Sequence, residues 1–229
     1  HRIVMCVGGS DDVRALAAQI AEAASPGALV IDHSTIEPEA AREVAAMLAA
    51  KGIRFVDAPI TGGSMGAQAG TLTIFLGGAE ADTAEAIEVV RPYSKRAERV
   101  GPVGSGQMMK LANQIAVGGA LLGLCESLAF AQKAGLDLAQ TRELLGGGAA
   151  GSWAFEFYGP KILNRDWKPG FAVRHQQKDF RYTMAAAQGI HVAVPMTELA
   201  HQLLKKLEDE GKGDLTTVAL FDSLLEKDS

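Results

Sequence analysis

Residues 3–7 form an apolar run, Ile3-Val4-Met5-Cys6-Val7, that ends in Gly8-Gly9-Ser10-Asp11-Asp12. A short apolar run closed by glycines predicts a buried strand. Ser10 and the aspartates predict the cap of a following helix, because their oxygens accept the free N–H groups of a first turn. The alternation repeats. Residues 28–32 predict a strand, Ser34-Thr35-Ile36-Glu37-Pro38 caps an alanine-rich helix ending near Gly52, and 53–58 is again a strand. The β-branched stretch 71–76 predicts another, 79–90 a helix stopped by Pro92, and 97–100 a short edge strand. Short apolar strands separated by helices predict a parallel sheet covered on both faces. Beyond Gly106 the strand signals stop. A long helical pattern runs to Ala134, and further helices are broken at Gly146-Gly147-Gly148, Pro169-Gly170, Gly189, Pro195 and between Gly211 and Gly213. The expected architecture is an α/β part at residues 1–103 and an all-helical part at 104–229, opened by a connecting helix at about 106–134.

Composition narrows the function classes. The 229 residues are 48% hydrophobic and 21% charged, which suits a globular core and excludes a disordered chain. A formal net charge of −5 argues against nucleic acid or an anionic membrane as the main partner. The longest uncharged apolar stretch, 115–125, stops at Glu126 and is too short to span a membrane. Cys6 and Cys125 lie far apart in apolar surroundings and read as buried thiols, which points to a reducing compartment, the cytoplasm. A core strand that starts at His1, without an initiating Met, predicts that the natural protein extends upstream.

Three clusters could carry chemistry. The first is Asp57-Ala58-Pro59-Ile60-Thr61-Gly62-Gly63-Ser64-Met65-Gly66, continuing to Gly70-Thr71, at the carboxyl end of a predicted strand. Ligands bind at that edge of open α/β sheets. Glycines let main-chain N–H groups approach an anion, and Thr61 adds a hydroxyl donor, so a carboxylate fits there as well as a plain glycine turn does. The second is Gly104-Ser105-Gly106 followed by Lys110, Asn113 and Gln114. Spacing of i, i+3 and i+4 puts these three polar groups on one helix face. Val117 and Leu121 continue that face, so it points toward packing, where a lysine either is partly desolvated and able to move a proton near neutral pH or lays its stem on apolar surface with its head in water. Gly118, Gly119 and Gly123 in the same helix predict a closely packed backbone. The third is Lys178-Asp179, which without further context is an ordinary charge pair.

Other patterns say less. No His stands three to five residues from another His or a Cys, so no metal site is expected, and all five histidines read as surface or satisfied core positions. Trp153 and Trp167 read as core. Gly62-Gly63-Ser64-Met65-Gly66 matches the G-x-S-x-G elbow of α/β-hydrolases. The elbow needs a helix directly after the serine, and Gly66 and Gly70 argue against one.

Taken in order, these pieces resemble the β-hydroxyacid dehydrogenase family, which includes 3-hydroxyisobutyrate dehydrogenase, tartronate semialdehyde reductase and relatives of 6-phosphogluconate dehydrogenase. The matching segments are Asp32-His33-Ser34-Thr35-Ile36, the 57–63 cluster with Gly70-Thr71-Leu72, Gly104-Ser105-Gly106 with Lys110, and Lys178-Asp179. Lys110-Leu111-Ala112-Asn113-Gln114, the 146–152 glycine run and Lys168-Pro169-Gly170-Phe171 look like the tartronate semialdehyde reductase branch, and Gln114 stands where hydroxyisobutyrate enzymes usually carry Asn. Thr61 replaces the family's more frequent Ser and keeps its hydroxyl.

The resemblance implies an α/β Rossmann-type parallel sheet that is N-terminally incomplete, followed by an all-α domain. The G-x-G-x-x-G turn and the residue that reads the ribose 2′ position would lie in about 60 residues upstream of His1, so NAD and NADP are not distinguished. Where the family carries Leu-Pro beside the cofactor, this chain has Val7-Gly8. The resemblance further implies hydride transfer between NAD or NADP and a short β-hydroxy acid or its semialdehyde. Thr61, Gly62 and Gly63 would hold the substrate carboxylate, Lys110 would act as general acid/base, and Asn113 or Gln114 would orient the reacting oxygen. Val7, Gly8, Asp12, Thr35 and Lys178 would line the cofactor. The expected partners are a small hydroxy acid and a second copy of the chain, as homodimer or homotetramer. The rival readings are an imine reductase of the same architecture, which usually lacks the lysine, and a non-catalytic dimerising module.

Overall fold

The structure is a computed structural model that describes residues 1–225. It contains two compact units, residues 1–113 and residues 114 onward.

The first unit begins β1 (Arg2–Met5), α1 (Ser10–Ala23), β2 (Leu29–Asp32), α2 (Pro38–Ala49) and β3 (Arg54–Asp57). These three strands are parallel, with Ile3 opposite Val30 and Val30 opposite Phe55. All of β2 is buried, as a central strand with both faces covered must be. Successive side chains point to opposite faces. Met5, Val30 and Phe55 pack with Val13, Ala17, Val44 and Leu48 of α1 and α2. Leu29, Ile31 and Val56 face the other way and pack with the elements that follow.

Those elements are β4 (Ile60–Thr61), α3 (Gly63–Ala69), β5 (Leu72–Gly77), α4 (Glu80–Val90) and β6 (Ser94–Gly101). Here the sheet is not purely parallel. β5 runs antiparallel to β3 and β4, and β6 runs parallel to β5. The order is β1-β2-β3-β5-β4, with β6 beside β5. The inversion has a geometric consequence: β6 starts at the sheet edge where β1, β2 and β3 end. The expected short strand at 97–100 is a full eight residues.

Several local expectations fail for identifiable reasons. α1 and α2 have no side-chain cap. The Ser10 hydroxyl instead accepts from the Glu37 N–H at 3.2 Å, and Ser34 Oγ accepts from the Val7 N–H at 2.8 Å, so both serve connections between loops. Pro38 opens α2, where its missing N–H costs nothing. Cys6 is exposed, because β1 is the outermost described strand on its side. A helix, α3, does follow the glycine pair. Gly70 ends it in the left-handed region, so a glycine that reads as a breaker acts as a stop seven residues on. Ser64 inside α3 is exposed and lacks the positive φ that a strained nucleophile elbow imposes, so the hydrolase resemblance ends at the letters.

The long helix α5 (Ser105–Lys133) starts in the first unit, and its residues from Gln114 onward belong to the second. It is followed by α6 (Leu138–Gly146), α7 (Trp153–Phe157), α8 (Gly159–Leu163), α9 (Val173–Gly189), α10 (Pro195–Asp209) and α11 (Leu220–Leu225). By length and composition alone α5 could cross a membrane. Its Leu121, Leu124 and Leu128, however, pack with Phe155, Phe180, Leu207 and Phe221 in the core of the helical unit. Gly118 is needed there: a Cβ would lie 2.6 Å from Cζ of Phe180, so an aromatic ring, rather than a second backbone, takes up the space. Trp167 packs on this core, whereas Trp153 is 42% exposed and is not the core residue expected.

Candidate active site

The first unit gathers most of the expected residues at one edge of its sheet. Val7 and Gly8 leave β1, and Asp12 lies in the first turn of α1. A Cβ on Gly8 would lie 2.7 Å from Asp12 Oδ2, so the carboxylate folds over the glycine. Thr35 lies half-buried in the loop after β2. That loop is pinned from several sides. The Ser34 N–H donates to Asp32 Oδ1 at 2.9 Å, and the Ser34 hydroxyl holds Val7.

Gln107, which the sequence did not single out, completes the clamp. It is fully buried, its Oε1 accepts from the Ile36 N–H at 3.1 Å, and its Nε2 donates to the Ser34 carbonyl at 2.9 Å. One amide thus satisfies the backbone on both sides of Thr35. A glutamine in a first helical turn ordinarily reads as solvated. The available signal was the flanking Gly104 and Gly106, which allow the turn to sit against the strand ends.

Asp57 fastens the same helix start. Its Oδ1 accepts from the Gly104 N–H at 2.8 Å and its Oδ2 from the Gln107 N–H at 2.9 Å. The carboxyl therefore does the work of a cap, from the end of β3, on the positive end of α5. Burial raises its pKa from 3.8 to about 6, against the backbone N–H groups, which favour the charged form. The approach is too close for side chains. A Cβ on Gly106 would lie 2.5 Å from the Phe75 carbonyl oxygen, and one on Gly77 would lie 2.3 Å from Asp57 Oδ1.

From Asp57 the chain passes through Ala58 and Pro59 into β4, which delivers Thr61 to the glycine pair. Gly62 and Gly63 have φ of 123° and 64°. Two successive positive-φ glycines turn main-chain N–H groups in a way that other residues resist. Gly63 has no neighbouring atom within 4 Å of where a Cβ would stand, which leaves room for a ligand against the backbone. Lys110 lies one helical turn beyond the point where Asp57 holds α5, and it is 8% exposed. Asn113, on the same face, is half-buried.

Gln114, Lys178 and Asp179 belong to the helical unit and converge there. Gln114 Nε2 donates to Asp179 Oδ2 at 2.6 Å, and Lys178 Nζ lies 3.4 Å from Asp179 Oδ1. The ammonium also stands 5.4 Å from the centre of the Tyr182 ring. Asp179 is 2% exposed, so it is the buried acceptor that joins the two, not one half of a surface pair. No group of His, Cys, Asp and Glu able to hold a metal occurs among the described residues.

A largely parallel sheet whose carboxyl edge carries a glycine at the exit of β1, a pinned Ser-Thr loop and a glycine nest, and which feeds a helix with a buried lysine, has the layout of a dinucleotide-binding α/β domain. The glycine at the exit of β1 and the open backbone at Gly63 fit the close approach of such a cofactor. Two family models match: residues 1–106 match the NAD binding domain of 6-phosphogluconate dehydrogenase, and residues 104–224 match the NAD-binding domain of NADP-dependent 3-hydroxyisobutyrate dehydrogenase. An uncharacterised oxidoreductase of Synechocystis is 39% identical, with 96% of this chain and 76% of that protein covered. The 2-hydroxy-3-oxopropionate reductase of Escherichia coli is 33% identical over 89% of this chain and 70% of its own length. The crystal structure of 3-hydroxyisobutyrate dehydrogenase from Salmonella typhimurium is 26% identical, superposes with a TM-score of 0.91, and is covered over 79% of its length by 97% of this chain. The chain belongs to the β-hydroxyacid dehydrogenase family. It is an oxidoreductase acting on hydroxy acids with NAD or NADP as cofactor.

Proposed function

We propose that the protein interconverts a short β-hydroxy acid and its semialdehyde, of the tartronate semialdehyde or 3-hydroxyisobutyrate type. The observation that carries this reading is Lys110: a lysine residue 8% exposed, one turn beyond the helix start that Asp57 ties to the strand leading into Thr61 and the glycine pair. The Thr61 hydroxyl and the N–H groups of Gly62 and Gly63 hold the substrate carboxylate. A nicotinamide cofactor, when bound, would supply the hydride acceptor or donor. Lys110 gives a proton to the carbonyl oxygen during reduction and takes it back from the alcohol during oxidation. Asn113 and Gln114 orient that oxygen, with Gln114 held by Asp179. Val7, Gly8, Asp12 and Thr35 line the cofactor at the edge of the sheet.

The test compares wild type and Lys110→Ala on tartronate semialdehyde, 3-hydroxyisobutyrate and a cyclic imine. Loss of the proton donor is expected to lower kcat on the hydroxy-acid pair by about 10²–10⁴-fold with the far-UV spectrum unchanged. Near-normal turnover by the variant, or a wild type that prefers the imine, overturns the assignment.

The reading includes self-association through the helical unit. Phe130 is 76% exposed, Leu144 69% and Leu136 57%, and α6 buries none of its residues. Apolar exposure of this extent supports a second copy of the chain as its cover.

A further inference from the structure

His33 takes no part in the chemistry described so far, yet it is 7% exposed and both its ring nitrogens are engaged. Nδ1 lies 2.6 Å from the carbonyl oxygen of Ala58, and Nε2 lies 2.9 Å from the hydroxyl of Tyr93. A carbonyl oxygen only accepts, so Nδ1 carries the hydrogen. In the neutral ring Nε2 is then the acceptor, and the Tyr93 phenol donates to it. The two rings meet edge to face with centroids 5.7 Å apart, which fixes the plane of the imidazole.

The placement follows from the topology. His33 directly follows β2, Ala58 directly follows β3, and Tyr93 directly precedes β6. The inversion of β5 brings the start of β6 to the edge where β2 and β3 end. Three segments distant in sequence therefore meet beside the turn that enters β4. Ala58 is held on its other side as well, its N–H donating to the Asp32 carbonyl at 2.7 Å. The next carbonyl, of Pro59, accepts from the Phe75 N–H at 3.1 Å. His33 is thus the side chain that fixes the Ala58 peptide, three residues before Thr61.

We infer that His33, backed by Tyr93, is a positioning residue that sets the pitch of the 58–63 segment, so that the Thr61 hydroxyl and the glycine N–H groups converge on the substrate carboxylate. This rests on the carboxylate grip proposed above. His33 touches no reacting atom, so its loss weakens ground-state binding of the acid and leaves the proton transfer at Lys110 intact.

The experiment measures KM and kcat for tartronate semialdehyde in wild type, His33→Leu, His33→Asn, Tyr93→Phe and Thr61→Val. Leucine removes the donor to Ala58 and is expected to raise KM about tenfold with kcat within about twofold. The asparagine amide can stand where Nδ1 stood, so His33→Asn is expected to recover most of the loss. Tyr93→Phe keeps the ring contact and removes only the donor to Nε2, so a smaller rise in KM is expected, which decides the matter should His33→Leu not fold. A raised KM in Thr61→Val with unchanged KM in the His33 and Tyr93 variants overturns the assignment for His33 alone. Equal impairment by leucine and asparagine, or a fall in kcat at constant KM, also overturns it. A silent Thr61→Val overturns the carboxylate grip and this inference with it.

Discussion

Asp57 is the residue on which two opposing physical effects can be weighed by experiment. Its carboxyl is fully buried and accepts from the N–H groups of Gly104 and Gln107. Asparagine at this position retains a single oxygen, so one of those N–H groups faces an NH2 donor. A buried donor left without its acceptor costs about 1–3 kcal/mol, and about 2 kcal/mol is expected for Asp57→Asn at pH 7. The pH dependence carries the sharper test. The folded-state pKa is raised from 3.8 to about 6, so between these values the folded protein holds a proton that the unfolded chain has released. Stability from this group is therefore fully present below the unfolded value and is lost as pH rises toward the folded one, by about 3 kcal/mol across the window at about 1.4 kcal/mol per unit. Asparagine does not titrate. The wild type should gain about 1 kcal/mol relative to the variant on going from pH 7 to pH 5, widening the gap from about 2 to about 3 kcal/mol. Urea unfolding of both proteins at the two pH values measures it, and all other titrating groups cancel in the difference. A gap that narrows toward acid shows that the amide hydrogen bonds outweigh burial and refutes the reasoning. A variant as stable as wild type at pH 7 refutes the capping role itself.

Gln107→Leu leaves the Ile36 N–H and the Ser34 carbonyl buried without partners, at a cost of about 2–4 kcal/mol in urea unfolding. It should also weaken cofactor binding by titration calorimetry, because Thr35 loses its clamp; unchanged affinity would remove Thr35 from the cofactor site. Light scattering should give the mass of a dimer or tetramer, and Phe130→Asp should shift it toward monomer. A monomeric wild type removes the second copy as the cover for Phe130, Leu136 and Leu144.

What was legible in the sequence is what local patterning controls. The strands other than β4, the helices α1, α2, α4 and α5, and the change of texture after Gly106 follow from periodicity and from glycine and proline stops. What was not legible depends on partners distant along the chain. An apolar run carries no arrow, so the inversion of β5 relative to β3 could not be read from residues 72–77. Ser10 and Ser34 have the chemistry of local caps, and the sequence assigned them that role; in the fold each hydroxyl serves a backbone N–H 27 residues away. α3 was missed because Gly66 and Gly70 read as breaks, although Gly70 stops the helix and Gly66 is buried within it.

The site divides in the same way. Thr61, the glycine pair and Lys110 stand out as candidates through residue type and spacing, because a ligand would make local demands: donors at short range, room for a backbone, a lysine on a packing face. Gln107, Asp57 and His33 act on the backbone rather than on a ligand, and nothing local distinguishes a glutamine, aspartate or histidine that will do so. Each crosses from one element to another, 71 residues from Gln107 to Ile36, 47 from Asp57 to Gly104 and 60 from His33 to Tyr93. Buried, hydrogen-bonded side chains that hold loops at the ends of strands are what give a site on loops its fixed geometry, since the loops themselves have few apolar contacts to hold them. Substituting this supporting set should therefore move binding constants before it moves the rate of proton transfer, whereas Lys110 should do the reverse. That contrast, read as KM against kcat, separates the residues that hold the proposed site from the lysine proposed to work in it.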